Sequence, residues 1–227
     1  MQPAGAQSGA TVRFENLSKG FWVRGEYRPI ISNLTMTLPP GRALGLLGRN
    51  GAGKSTLLQI IAGTMQPSSG RVIRAGRVSW PIGGTNSFHR DLTGLQNTRF
   101  LARVYGVDSD ALVAFVERFA EIGRHFHMPL RSYSSGMRSR LAFGVAMGIP
   151  FDTYLVDEVT AVGDARFKRK SRSLFRARMA QAGAVMVSHS MSEMRSYCDS
   201  GLVLNEGHLE YYENIGSAIA RHEALMA

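Results

Sequence analysis

Apolar residues recur along the chain with two different periods, and each change of period marks an element. Between Ile30 and Leu38 the alternate positions Ile30, Leu34, Met36 and Leu38 are apolar, and Ser32 alone breaks the face. That alternation predicts a half-buried antiparallel strand ahead of the Pro39-Pro40-Gly41 turn. An earlier strand is predicted over Thr11–Leu17, followed by Phe21, Trp22 and a polar loop over residues 24–29. The unbroken apolar runs at Arg42–Leu47, Thr153–Asp157 and Ala184–Ser188 read as short buried strands. Arg71–Trp80 offers two β segments broken at Ala75-Gly76, and Leu202–Glu210 a hairpin turning at Asn205-Glu206-Gly207. Helices are predicted over Ser55–Ala62, Ala165–Gln181 and from about Ile215 to the end.

The stretch from Asp91 to about Ile149 is helical in character throughout. Leu95, Phe100, Leu101 and Val104 are assigned to one face, and Ala111–Ile122 is amphipathic with a cap at Asp108, Ser109 or Asp110. A last helix begins after Tyr133-Ser134-Ser135-Gly136. The order predicts one domain over residues 11–227, an α/β core with a helical subdomain inserted at about 91–149, behind a disordered lead over residues 1–10.

A length of 227 residues, 44% of them hydrophobic and 19% charged, suits that single domain. No apolar segment approaches the roughly 20 residues of a membrane-spanning helix, and the start lacks a basic, apolar leader, so a cytoplasmic protein is expected. One cysteine, Cys198, excludes an internal disulfide framework and reads as a small core residue. The formal charge of +10 is compatible with nucleic acid, anionic headgroups or an acidic polymer as partner. Seven of the cations, Arg166, Lys168, Arg169, Lys170, Arg172, Arg176 and Arg178, form one run without an acid. A solvated helix face is its ordinary meaning, with contact to a membrane surface or polyanion as the alternative.

Between the run ending at Leu47 and the helix at Ser55 lies Gly48-Arg49-Asn50-Gly51-Ala52-Gly53-Lys54-Ser55-Thr56, a glycine, four residues, then Gly-Lys-Ser. A strand feeding a glycine-rich turn that opens a helix aims several N–H groups and the positive end of the helix dipole at one point, where phosphate fits. Glycines admit close backbone approach, Lys54 reaches the β- and γ-phosphates, and the Ser55 hydroxyl ligates Mg²⁺. Downstream, the strand Thr153–Asp157 ends in Asp157-Glu158. Successive strand residues point to opposite sides, so Asp157 can hold the Mg²⁺ shell while Glu158 orients an attacking water.

About twenty residues before that pair stands Tyr133-Ser-Ser-Gly-Met-Arg-Ser-Arg-Leu141. With it the chain resembles the ATP-binding cassette (ABC) ATPases, whose signature motif is usually Leu-Ser-Gly-Gly-Gln; Ser134 and Gly136 stand in matching places, while Tyr133, Ser135 and Met137 depart. The resemblance implies a P-loop NTPase core of mixed sheet with an antiparallel β subdomain and an inserted helical subdomain. It also implies ATP and Mg²⁺ as cofactors, and a head-to-tail dimer in which Ser134, Ser135 and Gly136 of one copy cap the ATP held by another. Val162-Gly163-Asp164-Ala165 resembles the family's D-loop, His189 its γ-phosphate-sensing switch histidine, and Phe21 its adenine-stacking aromatic, with Trp22 and Tyr27 as competitors. The Q-loop glutamine is missing: Pro81-Ile-Gly-Gly-Thr-Asn86 stands in its place, and Gln96 lies too far along to serve.

Gly48–Thr56, the glycine-rich substitute segment, Phe88–Gly94, Tyr133–Met137 and Val156–Asp164 together are similar to the capsular polysaccharide export ATPases of Gram-negative bacteria. This implies hydrolysis of ATP at the cytoplasmic face of the inner membrane by a peripheral subunit. A multispan permease would be its partner, through segment 82–86 and the helix after Asp91, and capsular polysaccharide and envelope export proteins its indirect partners. Export of O-antigen or teichoic acid is the rival within the class; a chain ending at Ala227 leaves no room for the carbohydrate-binding domain that O-antigen exporters often append. A soluble ABC ATPase acting on nucleic acid is the rival outside it, against which stand the lack of a coiled-coil insertion and of a second cassette, so no nucleic acid is expected. Lys54 and Glu158 together disfavour a cassette that binds ATP without turnover.

Overall fold

The computed structural model of the chain describes residues 11–82, 88–157 and 164–226. Nine strands and seven α-helices are described, as two sheets and their covering helices. Strands β1 (Val12–Val23), β2 (Glu26–Thr37) and β4 (Ser69–Arg74) form an antiparallel sheet in the order β2-β1-β4. Strands β3 (Ala43–Leu47), β5 (Val78–Ile82), β6 (Thr153–Asp157), β7 (Gly183–Val187), β8 (Ser200–Asn205) and β9 (His208–Tyr212) form the larger sheet, ordered β5-β6-β7-β3-β8-β9. Its strands are parallel except for β9, which returns antiparallel to β8 through Glu206 and Gly207, both at positive φ.

Alternation along the large sheet divides the core in two. Leu44, Leu46, Leu155, Val185, Val187, Leu202 and Leu204 face helix α1 (Lys54–Ala62) and the antiparallel sheet. Ala43, Leu47, Val156, Ala184, Met186 and Val203 join the opposite cluster, with the helical segment and the later helices. Those helices are α2 (Gly94–Val104), α3 (Ser109–Ala120), α4 (Ser135–Gly148), α5 (Ala165–Met179), α6 (Met191–Tyr197) and α7 (Ile215–Met226). Among the described residues no helix is long and apolar enough to cross a membrane.

Three expectations need correction. The first strand does not stop at Leu17, and the polar loop shrinks to Arg24-Gly25, because both residues adopt positive φ and close a tight hairpin in which Trp22 faces Tyr27 and Phe21 faces Arg28. In α2 the buried positions are Gly94, Asn97, Thr98, Leu101 and Ala102, whereas Phe100 and Val104 are 56% and 58% exposed. Asn97 is buried because its side chain is fully engaged, donating to the carbonyls of His89, Leu92 and Thr93 and accepting from the His89 amide. The amphipathic run after Asp108 ends at Ala120, with Glu121 in left-handed conformation; of the three candidate caps, Asp108 accepts from the amides of Asp110 and Ala111.

Candidate functional site

The neighbouring parallel strands β6, β7 and β3 end on one edge of the large sheet, so Asp157, Ser188-His189 and the loop beginning at Gly48 emerge side by side. Open α/β sheets place their ligands outside the carboxyl ends of strands. Gly48 and Gly53 adopt φ of 154° and 104°. A Cβ at Gly48 would stand 2.5 Å from the Leu204 carbonyl oxygen, and one at Gly53 2.2 Å from Cγ2 of Ile30, so the loop is wedged between β8 and β2. The Ala52 amide donates to the Arg49 carbonyl at 3.1 Å and tightens the coil. Gly53 caps α1 without a side-chain acceptor, and no acid occupies the first turn. The helix therefore starts with a positive end that an anionic ligand can meet.

Lys54 folds back over this loop, its Nζ donating to the carbonyls of Gly48 at 2.7 Å and Arg49 at 3.0 Å. A cleft of about 380 Å³ opens here. Its walls are Leu46, Leu47, Gly48, Arg49, Asn50 and Lys54 from β3 and the loop, Ser188, His189 and Met191 after β7, and His222 and Met226 from α7. The turn that carries His189 is pinned: Ser188 Oγ donates to Glu193 at 3.0 Å and accepts from the Ser190 amide, while Ser190 caps α6. Asp157 is half-buried and in register with Val187, two residues before His189. Gly51, Ala52, Gly53, Ser55 and Thr56 continue the loop into α1 beside the cleft without lining it. Ser55 and Asp157 offer one hydroxyl and one carboxylate, a donor set for a hard cation that takes its other ligands from phosphate and water.

Ser134, Ser135 and Gly136 lie elsewhere, at the exposed start of α4. Ser134 is its N-cap, accepting from the Met137 amide at 3.2 Å. Beside it the Tyr133 hydroxyl is buried against the Gly94 backbone; burial pushes it up to about 12, opposed by a hydrogen bond from the Gly94 amide. Phe21 pairs with Arg28 across the first hairpin, and the Lys19 ammonium lies 4.9 Å from the Phe21 ring centroid. Trp22 and Tyr27 pack on the other face, centroids 5.5 Å apart. Gln96 is committed to a capping box with Thr93. Glu158, Val162-Gly163 of the expected D-loop and the segment 83–86 lie outside the described residues. Asp164 is described, as the cap of α5: the Phe167 amide, then Arg140 at 3.0 Å, hold its carboxyl below the usual range.

The basic run lies on α5, where Arg166, Lys168, Arg169, Arg172 and Arg176 are exposed. Lys170 instead pairs with Glu121 at 2.7 Å, and Arg178 donates to the Met147 carbonyl, so two cations fasten α5 to the helical segment. Cys198 is buried beside Met186, and burial pushes its thiol up to about 12. His222 and Met226 at the cleft escaped the sequence pattern, because nothing near residue 222 resembles a phosphate motif; the only trace is the helical spacing that puts both on one stripe with Ile215 and Ala218.

Comparison with known proteins agrees with this geometry. The ABC transporter family model matches residues 31–161. The chain is 43% identical over 215 residues to the polysialic acid transport ATP-binding protein KpsT of Escherichia coli, covering 93% of this chain and 96% of the relative. It is 39% identical over 214 residues to the capsule polysaccharide export ATP-binding protein CtrD of Neisseria meningitidis serogroup B, covering 94% and 99%. A solved structure of the ATP-binding cassette MJ0796, a dimer in a post-hydrolysis state bound to ADP and Pi, aligns with TM-score 0.74 at 20% identity, over 90% of this chain and 98% of that one. The fold is that of an ATP-binding cassette, and the chain belongs to the ABC transporter family.

Proposed function

We infer that the chain is the ATP-hydrolysing subunit of an ABC transporter that energises export of capsular polysaccharide across the bacterial inner membrane. The observation that carries this is the cleft in which Lys54, the glycine loop and His189 meet beside the end of β6. Relatives named for capsule or polysialic acid transport match across nearly their whole length, which favours that cargo over O-antigen or teichoic acid. Gly48, Asn50, Gly51, Ala52, Gly53 and Thr56 cradle the phosphates of ATP, Lys54 neutralises their charge, and Phe21 stacks on adenine. Ser55 and Asp157 hold Mg²⁺, which when bound offsets the charge that develops on the transferred phosphoryl group. Glu158 orients the water and His189 contacts the γ-phosphate. The reaction is driven by positioning and by fixed charges rather than by a covalent intermediate.

A second copy supplies Ser134, Ser135 and Gly136, whose place at the exposed start of α4, away from the cleft of their own chain, suits a role across an interface. The pair docks on a multispan permease at the cytoplasmic face of the membrane, and the exposed Phe100 and Val104 of α2 give that partner an apolar surface. Steady-state ATP hydrolysis by wild type, Lys54→Ala and Glu158→Gln tests the reading. Lys54→Ala is expected to lose ATP binding and Glu158→Gln to accumulate an ATP-bound dimer without turnover; hydrolysis by Glu158→Gln at the wild-type rate would remove Glu158 from the catalytic assignment.

A further inference from the structure

We propose that His222, on the C-terminal helix, is a further residue of the nucleotide site, donating from its imidazole ring to a phosphate oxygen of bound nucleotide and coupling nucleotide binding to the uptake of a proton. The proposal rests on the function inferred above. Its basis is the way α7 lands on the large sheet. Gly45 of β3 and Gly201 of β8 are register partners, and a Cβ on either would collide with the helix, 2.7 Å from Ile215 Cδ1 and 2.2 Å from Ala218 Cβ. The two glycines form a slot that draws α7 onto the backbone of the sheet. Ile215, Ala218, Ile219, His222 and Met226 follow one helical stripe. Its first three residues are buried against the strands, and the stripe then runs past their ends, so that His222 and Met226 become a wall of the cleft that holds Lys54 and His189. On the neighbouring face Arg221 grips Glu210 of β9 with two hydrogen bonds of 3.1 Å, which fixes the rotation of the helix.

His222 Nδ1 is shut off from solvent and has no hydrogen-bond partner among the described residues. That nitrogen therefore faces protein, and it is the other edge of the half-buried ring that fronts the cleft. The charged and titratable groups that share the cleft with the ring are Arg49 and Lys54 on the loop and His189 after β7, with Glu223 beside His222 on α7; Glu193 at the start of α6 is taken up by Ser188. Burial first, and then the Lys54 ammonium, hold the imidazole below its ordinary range, so it is neutral in the nucleotide-free chain at neutral pH. A polyphosphate placed at Lys54 reverses the local potential. The ring then takes one proton from solvent, and the imidazolium so formed donates from its cleft-facing edge to a phosphate oxygen.

Calorimetric titration of the whole chain with Mg²⁺ and a non-hydrolysable ATP analogue, in two buffers of different ionisation enthalpy near pH 7, measures the protons taken up. Wild type is expected to take up a fraction of a proton, and His222→Gln half of that or less, with affinity lowered about three- to tenfold. Equal uptake in the two proteins, both binding the analogue, overturns this inference alone. Failure of wild type to bind the analogue overturns the nucleotide assignment itself, and this inference with it. A measurement on wild type needs no variant to fold: the His222 ring resonances, titrated with and without the analogue, should report protonation at higher pH when it is bound, and an unshifted titration contradicts the proposal.

Discussion

Replacing Gly201 by alanine tests whether α7 lies at backbone contact on the large sheet. The new Cβ would stand 2.2 Å from Ala218 Cβ. Both atoms are fixed directly to backbone, so no rotamer change relieves the clash, and the helix or the strand has to move. Overpacking a filled core costs about 1–3 kcal/mol, and a collision between two backbones belongs at the upper end. Because Gly201 is not at positive φ, alanine also stiffens the unfolded chain, which offsets about 0.4–1 kcal/mol. The net expectation is a loss of about 2 kcal/mol, which lowers Tm by roughly 4–8 °C for a chain of this size. Ala218→Gly alone costs about 1 kcal/mol as a helical glycine, plus about 0.8 kcal/mol for the buried methyl. In the double variant the collision is gone, so its loss should match that of Ala218→Gly within about 0.5 kcal/mol, whereas independent effects would add to about 4 kcal/mol. Urea unfolding of the four proteins decides it: a Gly201→Ala variant as stable as wild type, or a double variant that is merely additive, refutes the close landing.

Ser134→Ala removes the cap of α4 and should cost about 1 kcal/mol in urea unfolding; by the proposed role it also weakens the ATP-dependent dimer seen by sedimentation, and an unimpaired dimer would return Ser134 to capping alone. Tyr133→Phe removes a buried hydroxyl that accepts from the Gly94 amide, so it should cost about 1 kcal/mol in urea unfolding, and a gain in stability would show that oxygen to be unpaired. Lys170 draws the Glu121 carboxyl below its usual range, first through their hydrogen bond. A lowered carboxylate stabilises the fold above its unfolded-state value, and the gain disappears as pH falls through the folded one. Lys170→Met should therefore lose up to about 1 kcal/mol near neutral pH, the two side chains being partly exposed, and lose none of that term once Glu121 is protonated; an equal deficit at both extremes of pH would assign the loss to packing over the Phe119 ring instead.

What could be read from the sequence depended on whether the cause of an element lay close by along the chain. The glycine loop was legible because its backbone demands fall in one stretch: the glycines at positions 48 and 53 are the residues that the crowding by Leu204 and Ile30 requires. Buried strands were legible as short apolar runs, since both of their faces meet hydrophobic clusters. Helix α2 misled because counting apolar residues chose Phe100 and Val104, whereas the inward stripe includes Asn97 and Thr98, made fit for burial by hydrogen bonds that hydropathy does not register. The first hairpin was cut short for a similar reason, since its outer half is held by backbone pairing across Arg24-Gly25 and not by an apolar face. His222 is the hardest case, because its place at the cleft follows from where another part of the helix lands. Two strands far apart in the chain each carry a lone glycine, Gly45 and Gly201, and such a glycine inside a strand marks a close approach by something else. Only the pairing of β3 with β8 makes them one slot, and only the slot turns a histidine three residues beyond Ile219 into a wall of the cleft beside Lys54.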